Sequence, residues 1–85
     1  MLAASQAAKC AVHHVTEMTG KDAQAVIGVE RTDDGWRITV EVVETRRIPD
    51  SADILAIYET EVDGEGELVS YRRTQRYPRG RVERG

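Results

Sequence analysis

Apolar side chains change period along the chain, and the change divides it. From Ala4 to Met18 the positions Ala4, Ala8, Ala11, Val15 and Met18 recur at spacings of four and three, which predicts an amphipathic helix over about 4–19 with one buried stripe. Thr19-Gly20 ends it, because glycine takes the left-handed conformation without steric penalty. Past that stop the period falls to two. Ala25, Ile27 and Val29 alternate with Val26, Gly28 and Glu30, giving a strand over about 24–31. "TDDGW" at 32–36 reads as a hairpin turn, since Asp-Gly tolerates positive φ angles. Trp36, Ile38, Val40 and Val42 then alternate with Arg37, Thr39 and Glu41, the clearest half-buried strand in the sequence, over about 35–46. Trp36 is expected to lie largely buried against Val15 and Met18.

Pro49 and Asp50-Ser51 stop that strand, because proline cannot donate to a ladder and Asp-Ser favours a turn. A third strand covers about 54–62, with Ala56, Tyr58 and Val62 as its core face and Leu55 and Ile57 covering an edge. "DGEGE" at 63–67 is a second turn, and a fourth strand follows over about 67–77, before a basic tail at 78–85. The fold class is α+β: one N-terminal helix packed on a four-stranded antiparallel β-meander, forming a single domain over 1–85.

A chain of 85 residues buries roughly 60 to 65 % of the surface its unfolded form exposes, enough for one modest core and too little for a deep, walled active site. The apolar runs are only a few residues long, and "MLAASQAAKC" has neither a basic n-region nor a continuous apolar segment. With one cysteine, Cys10, an intrachain disulfide framework is excluded and no zinc spacing is present. A cytoplasmic protein is the expectation.

Charge adds a feature that the apolar pattern does not show. Arg72–Gly85 holds six arginines against the single acid Glu83, net +5, whereas residues 1–71 carry net −8. "YRRTQRYPRGR" at 71–81 concentrates this excess and has three readings. Arginine and tyrosine on a strand can bind nucleic acid by phosphate contact and base stacking, although the acidic remainder would repel the same polyanion. They are also enriched at protein-interface hot spots. The plainest reading is a solvated edge strand whose arginines discourage edge-to-edge pairing. As a handle for protein partners the expected residues are Arg72, Arg76, Arg79, Arg81 and Tyr77. Strict alternation would place Arg72 and Arg76 on one face and Arg73 on the other with Tyr71 and Tyr77, and charge reversal of the exposed Arg72, Arg76 and Arg79 to Glu is expected to leave the domain folded.

Catalytic chemistry finds little support. His13 and His14 are adjacent, about 100° apart on a helix, and cannot share a metal as an i, i+4 pair would. Cys10 has no arranged base and sits near the helix middle. Glu41, Glu44, Glu59 and Glu61 fall among arginine and threonine, where cross-strand ion pairs are ordinary. "GEGE" surrounds its glycines with negative charge and would repel a phosphate. No enzyme, metal site or cofactor is expected.

The stretch "GWRITVEVVETRRIPDSADILAIYETEVDGEGELVSYRRTQRYPRG", residues 35–80, resembles the gas vesicle synthesis protein O family (GvpO). The residues that carry the likeness are Gly35-Trp36, the strand through Glu44, Ile48-Pro49 followed by Asp53, Tyr58-Glu59, Gly66-Glu67-Leu68, and Tyr71, Arg76 and Tyr77. "GVERTDDGW" and "MTG" at 18–20 extend it to about three quarters of the chain. The resemblance implies a non-enzymatic accessory protein of gas vesicle formation, cytoplasmic and associated with gas vesicles, that assists assembly by contacting other gas vesicle proteins. It offers no catalytic residues, and the longer charged N-terminal extension common in the family is absent from this sequence. A homo-oligomer through an edge strand and a small nucleic-acid-binding regulator using the Arg-rich strand are the alternatives this sequence leaves open.

Overall fold

The computed structural model describes residues 1–80 and consists of helix α1 (Ala4–Thr19) followed by strands β1 (Asp22–Arg31), β2 (Gly35–Thr45), β3 (Ile54–Asp63) and β4 (Leu68–Pro78), with one 3-10 turn at Asp50–Ala52. The sheet runs β1-β2-β3-β4, every neighbour antiparallel. The α+β meander expected from the periodicity is the fold of the protein.

The line of α1 that touches the sheet keeps Ala11 and Val15 of the expected stripe but takes in Ala7 and leaves out Ala4 and Met18. Ala7, Ala11 and Val15 are fully buried, flanked by half-buried Ala8 and Val12, whereas Ala4 is exposed and Met18 retains 57 % of its accessibility. Alanine occurs on both lines, so apolarity could not choose between them. Ala7, Ala11 and Val15, spaced by four, stack along one face of the helix and seat it on the main core. At its start, the Ala3 amide donates to Gln6 Oε1 at 3.1 Å. At its end Gly20, with φ 71°, donates its amide to the Thr16 carbonyl at 2.9 Å, the left-handed cap for which glycine is suited.

Against that line β2 presents Ile38, Val40 and Val42, and β3 presents Ala56, Tyr58 and Val62. The Tyr58 face is core, as expected. Leu55 and Ile57, expected to cover an edge, are instead 4 % and 7 % exposed. As an interior strand β3 has neighbours on both sides, and Leu55 lies directly between Val43 of β2 and Tyr77 of β4. A second, smaller apolar cluster thus forms on the face away from the helix. Trp36 is half-buried at the rim of the main core, under the Arg31 guanidinium at 5.3 Å from the ring centroid. Exposed Met18 does not bury it as expected.

Two glycines set the connections. Gly35 does not supply the positive φ angle assigned to "DG". The β1–β2 turn is instead closed by Thr32, whose amide donates to the Gly35 carbonyl at 2.9 Å and whose Oγ1 accepts from the Gly35 amide at 3.0 Å. Glycine is required there because a Cβ would collide with the Val62–Asp63 backbone of β3. Gly66, φ 87°, is the positive-φ residue of the β3–β4 turn, where Asp63 Oδ1 accepts the amides of Glu65 and Glu67 at 2.9 and 3.0 Å.

The corrected helix line has a measurable consequence. Ile38→Ala should cost about 2 to 5 kcal/mol as a fully buried deletion, while Met18→Ala should stay within about 0.5 kcal/mol. Urea unfolding of the two variants checks this, and equal losses would contradict the observed packing.

Candidate partner-binding surface

The arginines of β4 are placed by a bulge that periodicity alone does not reveal. Gln75 faces Ile57 but Arg73 faces Tyr58, so Thr74 is the extra residue and the alternation of β4 inverts across it. Arg72, opposite Glu59, therefore shares the helix-free face with Tyr77, opposite Leu55. Arg73 and Arg76, opposite Tyr58 and Ala56, share the helix face with Tyr71. The expected partition, Arg72 with Arg76 and Arg73 with the two tyrosines, is thereby corrected. Tyr71 packs beside Tyr58 at a centroid separation of 6.0 Å.

Each described arginine of this stretch meets a carboxylate. Arg72 reaches Glu59 at 3.0 Å. Arg73 and Arg76 extend across β3, over the small Ala56 side chain, to clamp Glu44 of β2 at 3.0 and 2.7 Å. The Glu44 side chain is 10 % exposed, so the two arginines are what allow its charge to lie so deep. Arg79 meets Asp53 at 3.2 Å and Gln24 of β1 at 3.1 Å, joining the chain beyond β4 to the opposite edge of the sheet. Tyr77 donates its hydroxyl to Glu41. That hydrogen bond, with burial second, pushes its pKa up to about 12. Arg81 lies outside the described residues.

Asp53 is the least obvious member. It is 2 % exposed, accepts the Arg47 amide at 2.7 Å on Oδ1, binds Arg79 through Oδ2, and accepts the Arg79 amide on its backbone carbonyl at 2.6 Å. The Arg47 amide first, and Arg79 after it, hold its carboxyl below the ordinary value of 3.8. Arg79 is therefore not a freely replaceable surface cation: its removal leaves a buried carboxylate short of a partner. An acid immediately before the apolar run "ILAIY" was the available signal for this anchor.

The other candidate groups do not converge. His13 and His14 are 5.9 Å apart edge to face, and His14 donates Nε2–H to the Gly66 carbonyl at 2.8 Å. Cys10 lies against Gly66, whose hypothetical Cβ would fall 2.8 Å from its Sγ. These helix residues seat the β3–β4 turn. Among the described residues no group of three His, Cys, Asp or Glu is placed to hold a metal, and no helix is long and apolar enough to cross a membrane.

Two titrations test the geometry. Asp53 is depressed in the fold, so its stabilising contribution is complete above about pH 4 and is lost as pH falls through the lowered native value. Asp53→Asn should be less stable than the parent at neutral pH, with the gap narrowing toward pH 3 in denaturant melts; a constant gap would remove the charge from the account. Tyr77 is raised, so its contribution is present below the ordinary tyrosine value of 10.0 and fades as pH climbs toward about 12. The ultraviolet difference between parent and Tyr77→Phe should show phenolate only near that upper limit.

Comparison with known proteins converges on one family. The profile described as "Gas vesicle synthesis protein GvpO" matches residues 1–83. Gas vesicle protein O of Streptomyces sp. (strain CB03234) is 51 % identical over 70 residues, covering 82 % of this chain and 55 % of that relative. Gas vesicle protein O1 of Halobacterium salinarum is 44 % identical over 57 residues, covering 67 % of this chain and 48 % of its own length. Gas vesicle protein O of Haloferax mediterranei is 37 % identical over 65 residues, covering 75 % and 46 %. The chain spans about half the length of these curated relatives, and no solved structure matches it. The resemblance carried by residues 35–80 is borne out across nearly the whole sequence: the chain belongs to the gas vesicle synthesis protein GvpO family.

Proposed function

We propose that this domain is a non-enzymatic accessory protein of gas vesicle formation, cytoplasmic and associated with gas vesicles, that assists assembly by binding other gas vesicle proteins. The observation that carries this reading is the family match over residues 1–83. The geometry supports an interaction module through the arginine and tyrosine side chains that the described end of β4 leaves partly exposed. Arg72 with Tyr77 on the helix-free face and Arg76 on the helix face, the two arginine side chains 74 % and 54 % exposed, offer the hot-spot residue types; Arg79 and Arg81 continue the basic stretch.

The same ion pairs weigh against the nucleic-acid alternative. Glu59, Glu44, Glu41 and Asp53 are interleaved with the basic side chains, so a phosphate chain would meet carboxylates at the same spacing.

Replacing Arg72 by Glu and Arg76 by Gln, while keeping Arg79, should lower capture of gas vesicle proteins from nuclease-treated lysate and leave the circular dichroism spectrum unchanged. The Arg72–Glu59 pair at the surface contributes at most about 1 kcal/mol to stability, Arg73 stays on Glu44 when Arg76 is replaced, and capture by the parent should weaken with salt. Capture lost to nuclease treatment would instead support nucleic acid, and undiminished capture would leave these arginines as a solvated edge.

A further inference from the structure

The β4 arginines are largely occupied by their own carboxylates, and the least committed contact groups lie elsewhere, on the loop between β2 and β3. Among the described residues Arg47 is the one arginine with neither an acidic partner nor an aromatic ring beneath it: Arg37, Arg46, Arg72, Arg73, Arg76 and Arg79 form ion pairs, and Arg31 stacks on Trp36. Its neighbour Ile48 is 101 % exposed, the most accessible of the large hydrophobic residues described. A single exposed apolar side chain needs no explanation by itself. This one is held out by a loop braced from several sides.

The Arg47 amide is fixed by Asp53 Oδ1 at 2.7 Å, and the Asp50–Ala52 turn is closed by the Ala52 and Asp53 amides on the Pro49 and Asp50 carbonyls, both at 2.9 Å. Arg79 holds Asp53 from the other side, Gly80 approaches Ser51 too closely to admit a Cβ, and Arg46 is pinned to Asp22 at 2.7 Å. A tip ordered in the free protein loses little conformational freedom on binding. An arginine beside an aliphatic knob suits a pocket that is apolar at its floor and negative at its rim.

We propose that the Arg47-Ile48 tip is a docking knob, and that its occupant is a protein surface with an apolar pocket rimmed by carboxylates. This rests on the reading that the domain binds other gas vesicle proteins, and it names the surface and the chemistry of the partner. The carboxylate rim follows from charge complementarity with the unpaired guanidinium.

The test uses the intact tagged protein in vesicle-forming cells, with a photo-crosslinking amino acid at position 48 and, as a control, at Val69, which is 60 % exposed on β4. Position 48 should give an adduct with an acidic gas vesicle protein, and position 69 should not. Ile48→Ser and Arg47→Glu should each reduce capture of that protein by about tenfold or more, with circular dichroism unchanged. Capture unaffected by either variant but lost on replacing Arg72 and Arg76 would overturn the knob and leave the β4 surface standing. An adduct to a second copy of this chain would overturn the stated occupant. A parent protein that captures no gas vesicle protein would overturn both this inference and the reading beneath it.

Discussion

One helix has to cover a four-stranded sheet, and it can cover only one face. Among the described residues the other face has no second layer, yet Val43, Leu55 and Ile57 on it are nearly inaccessible. Their protection comes from side chains within the sheet. Tyr77 lies over Leu55 and fastens itself to Glu41 on β2, while Arg79 crosses from beyond β4 to Gln24 on β1. In a domain this small, long side chains and their hydrogen bonds act as the missing layer.

That demand explains why the strands carry so many charges without forming a charged patch. Arg37 bridges Glu30 and Glu61 across three strands, Arg72 meets Glu59, and Arg73 with Arg76 enclose Glu44. Arg72, Arg73, Arg76 and Arg79, four of the arginines of the basic stretch, are brought to the acids of the body by the meander, which sets β4 beside the acids of β3 and within reach of those of β2. Positive and negative groups then alternate over the sheet, which presents local detail rather than a uniform field.

Each outer strand also has two register shifts. Bulges raise local twist and interrupt the flat row of unpaired amides and carbonyls that a second sheet would need. Neither edge is an inviting template for strand addition, so contacts through side chains and loops fit the shape of the molecule better than growth of the sheet.

Local pattern was enough to specify the elements. The alternation of Trp36 to Val42 marked β2, the four-and-three spacing marked α1, Gly20 and Pro49 marked the ends, and the ordered likeness of residues 35–80 marked the family. Secondary structure and binary burial depend on neighbours a few residues apart, and those are written in order along the chain. The faces of the β4 arginines were not, because one extra residue at Thr74 inverts the parity and a bulge is chosen by the partner strand. Nor were the buried Asp53, the double clamp on Glu44, or the seating of His14 and Cys10 on Gly66, since each joins groups 26 to 56 positions apart. The sequence by itself determined a helix, four strands and their order; which side chains are spent on holding the sheet together, and which remain exposed for another molecule, was decided only when distant segments came into contact.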